Sequence, residues 1–166
     1  MQTKVYKFIY INSMISASYF FDIANFFALL NCYALKTMEY RLNNIIVLCS
    51  EHGFYVNQPD ENRVDIQIRD DCVLSFINLV DEQDTIVGFD GTPWHDHGIV
   101  QFMTGPDTYI ECDELDIIIG LVSGELLIVS RFMKSNLVDR WIIHKNEQLN
   151  LKYIEPGEEL KVYRLA

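Results

Sequence analysis

The stretch "RVDIQIR" (63–69) alternates apolar and polar side chains with a period of two. Val64, Ile66 and Ile68 fall on one side of an extended chain, and the polar residues between them fall on the other. This pattern is typical of a strand that packs one face on a hydrophobic core and leaves the other in water. The sequence therefore predicts an antiparallel sheet that contains this segment.

Further strands are predicted after this segment, wherever short apolar runs are bounded by turn residues. These predicted strands are 72–80, 85–89, 125–132, 140–144, 149–155 and 159–165. The acidic sequence "DEQD" is predicted as a short turn between the first two. The sequence "EPGE" is predicted as a type II turn, because Pro156 fixes φ and Gly157 accepts a positive φ.

A helix is predicted in "YRLNNIIVLCSEHG" (40–53), before the first of these strands. Apolar residues recur between Leu42 and Cys49 at the i, i+3, i+4, i+7 spacing of one helical face. Gly53 follows this run and suits the left-handed conformation that often ends a helix. The sequence therefore places one amphipathic helix ahead of the sheet.

The segment "DELDIIIGLVSG" (113–124) has two interpretations. Asp113 suits a helix N-cap, acidic Glu114 and Asp116 suit the first helical turn, and Gly124 suits the C-terminal end. The β-branched "III" and the "SG" pair are also compatible with a hairpin leading into 125–132. We favour the helix because the cap, the charge distribution and the terminating glycine agree.

These elements predict an α+β fold, with an antiparallel sheet of about six to eight strands and one or two helices packed on a face. Residues 38–166 are predicted to form this single domain, preceded by an apolar N-terminal segment, 1–37. Residues 8–35 hold one charged side chain, Asp22. Three alternatives stay open for this segment: an over-extended start upstream of Met38, a membrane or export segment, and an apolar helix packed on the domain.

The strongly acidic charge limits the classes of partner. The formal net charge is −11 and the sequence pI is about 4.6. Residues 38–166 carry ten Lys and Arg residues against twenty-three Asp and Glu residues. Such a surface repels nucleic-acid backbones and anionic membranes, so the sequence predicts no nucleic-acid partner, and membrane contact only if 8–35 is a genuine anchor. A protein partner with a basic surface fits the charge.

The four cysteines are widely spaced and form no C-x-x-C pair; they are Cys32, Cys49, Cys72 and Cys112. This spacing gives no support to a four-cysteine zinc site or a disulfide scaffold. The sequence predicts buried free thiols in a reducing, cytoplasmic compartment.

The segment "GFDGTPWHDHGIV" (88–100) holds two histidines separated by one residue. In an extended chain His95 and His97 would point to the same side, as two ligands of one divalent transition metal such as zinc require. Candidates for a third ligand are His144, Glu111, Cys112 and Asp90. This motif predicts, as an alternative function, a metal-binding protein or a metal-dependent enzyme that uses the pair.

The favoured prediction is a small acidic interaction protein in the cytosol, of the immunity or inhibitor type, that needs no cofactor. The sequence contains no G-x-S-x-G elbow, phosphate-binding glycine loop or dinucleotide fingerprint. Trp94 and Tyr109 are candidate aromatic anchors, and acidic residues around them would steer a basic partner. The acidic residues of this predicted binding surface are Asp90, Asp96, Asp107 and Glu111.

Overall fold

The computed structural model of the chain describes residues 39–149 and 154–165. The helices in these ranges are α1 (Leu42–Glu51), a 3₁₀ helix (Val80–Glu82) and α2 (Glu114–Ser123). The strands are β1 (Tyr55–Asp60), β2 (Arg63–Arg69), β3 (Cys72–Leu79), β4 (Asp84–Phe89), β5 (His95–His97), β6 (Val100–Gly105), β7 (Thr108–Cys112), β8 (Leu126–Met133), β9 (Asn136–His144) and β10 (Glu158–Tyr163). The described residues therefore have the predicted α+β composition.

The strands form three antiparallel sheets. Five strands pair in the order β1-β2-β3-β4-β5, three pair in the order β10-β8-β9, and β6 pairs with β7. The predicted antiparallel pairing is confirmed, but the prediction of one sheet with six to eight strands is wrong. Periodicity identifies a strand from its own residues, whereas the division into sheets depends on pairing with other segments.

The helical interpretation of 113–124 is confirmed. The Asp113 carboxylate accepts hydrogen bonds from the backbone N–H groups of Leu115 (3.0 Å) and Asp116 (2.9 Å), and the Asp116 carboxylate accepts one from the Asp113 N–H. At the other end Gly124 takes φ of +74°. These contacts satisfy helix termini that would otherwise lack partners, which is why the local signals outweigh the β-branched run.

Most of the remaining local predictions are confirmed where the structure describes the chain. In the predicted type II turn, Gly157 has φ of +92° and the Glu158 N–H donates to the Glu155 carbonyl over 3.0 Å. The acidic turn before β4 contains the 3₁₀ helix and ends on Gln83, with φ of +53°. The predicted segment 1–37 lies outside the described residues, and so does most of the predicted strand 149–155.

The core lies between the two helices and the inner faces of the sheets. Helix α1 contacts α2, β1 and β2, and α2 also contacts β8. Val64 and Ile66 of β2 are fully buried, as the alternation predicts, whereas Arg63 and Asp65, which alternate with them, lie on the other, outer face of the five-stranded sheet. None of the three described helices has the length and apolar character needed to cross a membrane.

Two residues at the start of the described chain connect α1 to the rest of the fold. The Tyr40 backbone exchanges two hydrogen bonds with the Asn78 side chain of β3. The Arg41 guanidinium binds the carboxylates of Asp113 (2.6 Å) and Glu114 (2.7 Å) at the beginning of α2. The Glu114 carboxylate is buried, so Arg41 supplies the opposite charge that a buried carboxylate needs.

Candidate functional site

Strand β5 contains both histidines of the sequence motif and forms one edge of the five-stranded sheet. His95 pairs with Gly88 of β4, and His97 pairs with Ile86. Both imidazoles lie on the outer face of the sheet, with ring centroids 5.3 Å apart. The expected alignment of the two rings on one side of an extended strand is therefore present.

Gly88 allows β5 to lie close against β4. A Cβ atom at this position would lie 3.0 Å from the Trp94 carbonyl oxygen and 3.2 Å from the His95 Cβ. The segment also turns at Gly91 (φ +72°) and Gly98 (φ +58°), where other residues would be strained. The glycines of the motif therefore shape the short edge strand that carries the histidines.

Each histidine has one ring nitrogen held by a partner, which lies in the β4–β5 connection for His95 and in β4 for His97. The His95 Nδ1 lies 3.0 Å from the Pro93 carbonyl oxygen, and the His97 Nδ1 lies 2.6 Å from the Asp84 carboxylate. These contacts assign the Nδ1 protons, since a carbonyl and a carboxylate can only accept. Neither Nε2 atom has a hydrogen-bond partner among the described residues.

The Asp84 carboxylate is stabilised in its charged form. Its pKa is lowered first by a hydrogen bond from the Thr85 N–H, over 2.7 Å, and then by the hydrogen bond with His97. Asp84 therefore stays ionised at neutral pH and is a suitable acceptor for the His97 Nδ1–H.

The third predicted histidine does not join this pair. His144 ends β9 in the three-stranded sheet, where it is buried and its Nδ1 accepts a hydrogen bond from the Asn146 N–H over 3.2 Å. Its Nε2 lies 3.9 Å from the Glu125 carboxylate. Within 39–149 and 154–165, no group of three His, Cys, Asp or Glu residues is arranged to hold a metal ion. The pair therefore has no third ligand in that part of the chain.

Three of the predicted binding residues lie around the β4–β5 connection. Asp90 and Trp94 line, together with His95, a cleft of about 240 Å³ on the outer face of the five-stranded sheet. The Trp94 ring is half-buried, with its centroid 5.7 Å from that of Phe89. Asp96 points to the opposite side of β5, because it pairs with a core residue of β4.

The side of β5 that carries Asp96 faces Tyr40. The pKa of Tyr40 is raised to about 12, chiefly by burial, and the carboxylates of Glu114, Asp96 and Asp84 contribute to this rise. The predicted group of binding residues is thus divided between two faces of the five-stranded sheet.

The other three predicted binding residues belong to the β6–β7 hairpin. Asp107 forms its turn, with φ of +59°, and Tyr109 and Glu111 follow on β7. Tyr109 lies opposite Met103, and Glu111 lies opposite Gln101 and accepts its side-chain hydrogen bond over 3.2 Å. We call the side formed by Gln101, Met103, Tyr109 and Glu111 the hairpin face.

The hairpin face is exposed and partly apolar. Tyr109 is 57% exposed and Met103 is 40% exposed, whereas Val100 and Phe102 on the other side of the hairpin are buried. Sequence analysis did not identify Met103. The alternation in "VQFM" (100–103) is the signal for it, since Phe102 and Met103 must lie on opposite sides of a strand.

Negative charge dominates the central part of the chain. No Lys or Arg occurs between Arg69 and Arg131, and thirteen Asp and Glu residues lie in that interval. Arg41 pairs with two of them at the start of α2. Among the described residues, neither Asp107 nor Glu111 forms an ion pair, so the charge beside the hairpin face is not neutralised.

The prediction of buried free thiols is confirmed for Cys49, Cys72 and Cys112, and Cys32 lies outside the described residues. Burial raises the pKa of both Cys49 and Cys72 to about 11. It also raises the pKa of Cys112. Little thiolate is present at neutral pH, which does not favour these cysteines as nucleophiles.

Two surfaces therefore combine exposed side chains with defined chemistry. One is the hairpin face, and the other is the pair His95 and His97, which we call the histidine edge. The hairpin face offers apolar contact area beside negative charge, and the histidine edge offers two oriented imidazoles. No protein-family model matches the chain, and no curated protein or solved structure is significantly similar to it.

Proposed function

We propose that this chain is an acidic interaction protein whose hairpin face binds a protein partner with a basic surface. The observation that carries this proposal is the exposed pair of Tyr109 and Met103 beside unneutralised carboxylates. Tyr and Met are enriched at protein interfaces, where they supply contact area that excludes water. An exposed pair of this kind supports a contact surface better than a packing role.

The position of the two side chains supports a shared contact. Tyr109 and Met103 are directly opposite each other across an antiparallel pair, so their Cβ atoms lie about 5 Å apart. A partner that contacts one side chain would therefore cover the other. Such a central apolar cluster, surrounded by polar groups, is the arrangement that dominates binding energy at most interfaces.

Strand β7 offers a further mode of contact. It pairs with β6 on one side, and it has no second strand partner among the described residues. An unpaired strand edge presents backbone N–H and C=O groups to which a partner strand can add. Backbone pairing at β7 would place the partner beside the hairpin face.

The negative charge beside the hairpin face indicates that the partner has a basic surface. Asp107 and Glu111 lie at and beside the hairpin face in a part of the chain without Lys or Arg. Long-range attraction would speed the approach of a basic protein and would repel acidic ones. A small acidic protein that captures a basic toxin or enzyme would be of the immunity or inhibitor type, active in the cytoplasm.

The test is capture of the partner from a lysate of the source cells by the full-length chain at low and high salt. The disruptive variant combines Tyr109→Ala with Glu111→Lys. A matched control combines Tyr55→Ala with Glu51→Lys, because Tyr55 is 70% exposed and Glu51 is exposed, and neither residue belongs to the hairpin.

We expect quantitative mass spectrometry to identify a basic protein that the wild type and the control capture equally. The disruptive variant should retain it at least about tenfold less, since truncation of an interface anchor typically costs 2 kcal/mol or more. Capture should weaken at high salt because screening removes steering between exposed charges. The proposal is wrong if no basic protein distinguishes the disruptive variant from the control, or if capture does not depend on salt.

A metal-binding protein or metal-dependent enzyme stays the alternative function. The specific observation that favours it is the orientation of both imidazoles at the histidine edge, where each Nδ1 has a partner. It depends on β5 rather than on the hairpin, so the two functions are tested by different variants.

A further inference from the structure

We propose that His95 and His97 form a two-histidine site for a divalent transition metal ion of the zinc type. Their Nε2 atoms supply two ligands, and the remaining coordination positions are open to water or to an external ligand. The proposal rests on β5 and β4 alone, independently of any partner of the hairpin face.

The separation of the rings suits one shared ion. Zinc lies about 2.0–2.1 Å from a histidine nitrogen, which places it about 3.2 Å from the ring centroid. Two such rings at a tetrahedral angle have centroids about 5 Å apart. The centroids of His95 and His97 are 5.3 Å apart, which matches the spacing of two rings on one ion.

The hydrogen bonds orient the rings in the way that metal-binding histidines require. A metal-ligating histidine usually donates its second ring N–H to a carbonyl or carboxylate, which fixes the tautomer and makes the ligating nitrogen more basic. His95 uses the Pro93 carbonyl and His97 uses the Asp84 carboxylate. Both Nε2 atoms are thereby left with the lone pair that a metal ion needs.

The surroundings also favour a cation. The segment from β4 to β5 carries Asp84, Asp90 and Asp96 and contains no Lys or Arg. Arg63 lines the same cleft as His95, but its guanidinium is paired with the Asp65 carboxylate over 2.7 Å. Because His95 and His97 are exposed at the sheet edge, an ion can reach them from solvent without any opening of the fold.

The test is isothermal titration of the full-length chain, without a polyhistidine tag, with ZnCl₂ and separately with NiCl₂. The variants are His95→Ala and His97→Ala, and the matched control is His52→Ala, which removes an exposed histidine at the end of α1. Asp84→Asn tests the positioning role of the carboxylate.

We expect each of the two edge variants to weaken binding at least about tenfold, because one imidazole cannot chelate. Asp84→Asn should weaken it about 10-fold to 100-fold, as is typical when the group that orients a ligand is lost. His52→Ala should match the wild type. Equal affinity in the wild type and both edge variants would overturn the proposal.

A second measurement on the wild type keeps the test valid if the variants fold poorly. In ¹⁵N-edited spectra of the imidazole rings, Zn²⁺ should shift the Nε2 signals of His95 and His97 and leave their Nδ1 atoms protonated. Absence of a shift at these two Nε2 atoms under saturating Zn²⁺ would also overturn the proposal.

Discussion

The histidine edge and the hairpin face lie in neighbouring parts of the sequence, yet their side chains are held in different ways. At the histidine edge each Nδ1 has a hydrogen-bond partner that fixes the ring. At the hairpin face Tyr109 and Met103 extend into solvent from a two-stranded sheet. Fixed imidazole nitrogens suit a small ligand with strict geometry, such as a metal ion. Exposed apolar area suits a large partner that can adapt to it.

The largest predicted change in the free energy of unfolding distinguishes the two sides of the hairpin. Phe102 is 3% exposed and Met103 is 40% exposed, although they are adjacent. Phe102→Ala should lower the free energy of unfolding by about 3–5 kcal/mol, because it leaves a cavity in the core. Met103→Ala should change it by less than about 0.5 kcal/mol. Urea unfolding of both variants measures the difference.

If Phe102→Ala costs as little as Met103→Ala, the hairpin does not pack on the core in solution. The hairpin face would then not be a defined surface. Equal and large costs for both variants would mean that Met103 is a packing residue, which would remove an anchor from the proposed interface.

A second prediction, intermediate in size, compares the loss of stability when one glycine in each region is replaced by alanine. An added Cβ would meet the Trp94 backbone oxygen at 3.0 Å in Gly88→Ala, and the Thr108 hydroxyl at 3.0 Å in Gly105→Ala. Backbone cannot rotate away, whereas a hydroxyl can. We therefore expect Gly88→Ala to lower thermal stability, at a cost of about 1–3 kcal/mol, and Gly105→Ala to be close to neutral.

Thermal melts of the two glycine variants, measured side by side, check this expectation. A neutral Gly88→Ala variant would show that β5 moves away from β4 at little cost. The histidine edge would then be less rigid than its hydrogen bonds indicate.

The smallest predicted effect concerns pH. Folding lowers the pKa of Asp84 below its ordinary value of 3.8, so its contribution to stability is present above that value and is lost as the pH falls through the folded-state pKa. The difference in Tm between wild type and Asp84→Asn should therefore be present between pH 5 and pH 7 and shrink progressively as the pH falls below 3.8.

The matched change on the hairpin is Asp107→Asn, because Asp107 forms no ion pair with a described residue and Asn tolerates its positive φ. Its effect on Tm should be small and independent of pH. If the two variants show the same pH profile, neither the Thr85 N–H nor His97 stabilises the Asp84 carboxylate in solution.

The parts of the fold that the sequence predicts well are those with local signals. Helix α2 begins at a capping residue and ends at a glycine, and both contacts involve residues within one turn. The paired orientation of His95 and His97 likewise follows from the period of a single strand. These features need no knowledge of distant segments.

The features that sequence analysis missed depend on distant contacts or on exposed strands. Strand β1 has one half-buried residue and is otherwise exposed, so it shows no clear alternation. Strand β7 is exposed from Thr108 to Glu111, including the apolar side chains of Tyr109 and Ile110 on its two sides. The contact between Asp84 and His97 joins residues thirteen positions apart through the pairing of β4 with β5, which no local pattern reveals.

The bridge from Arg41 to α2 limits how far the chain can be trimmed before a buried charge loses its partner. Trimming by a protease up to residue 39 would leave this bridge intact, together with the Tyr40–Asn78 hydrogen bonds. Removal of two further residues would leave the buried Glu114 carboxylate without its counter-charge. The resistant fragment in limited proteolysis should therefore begin at or before Tyr40.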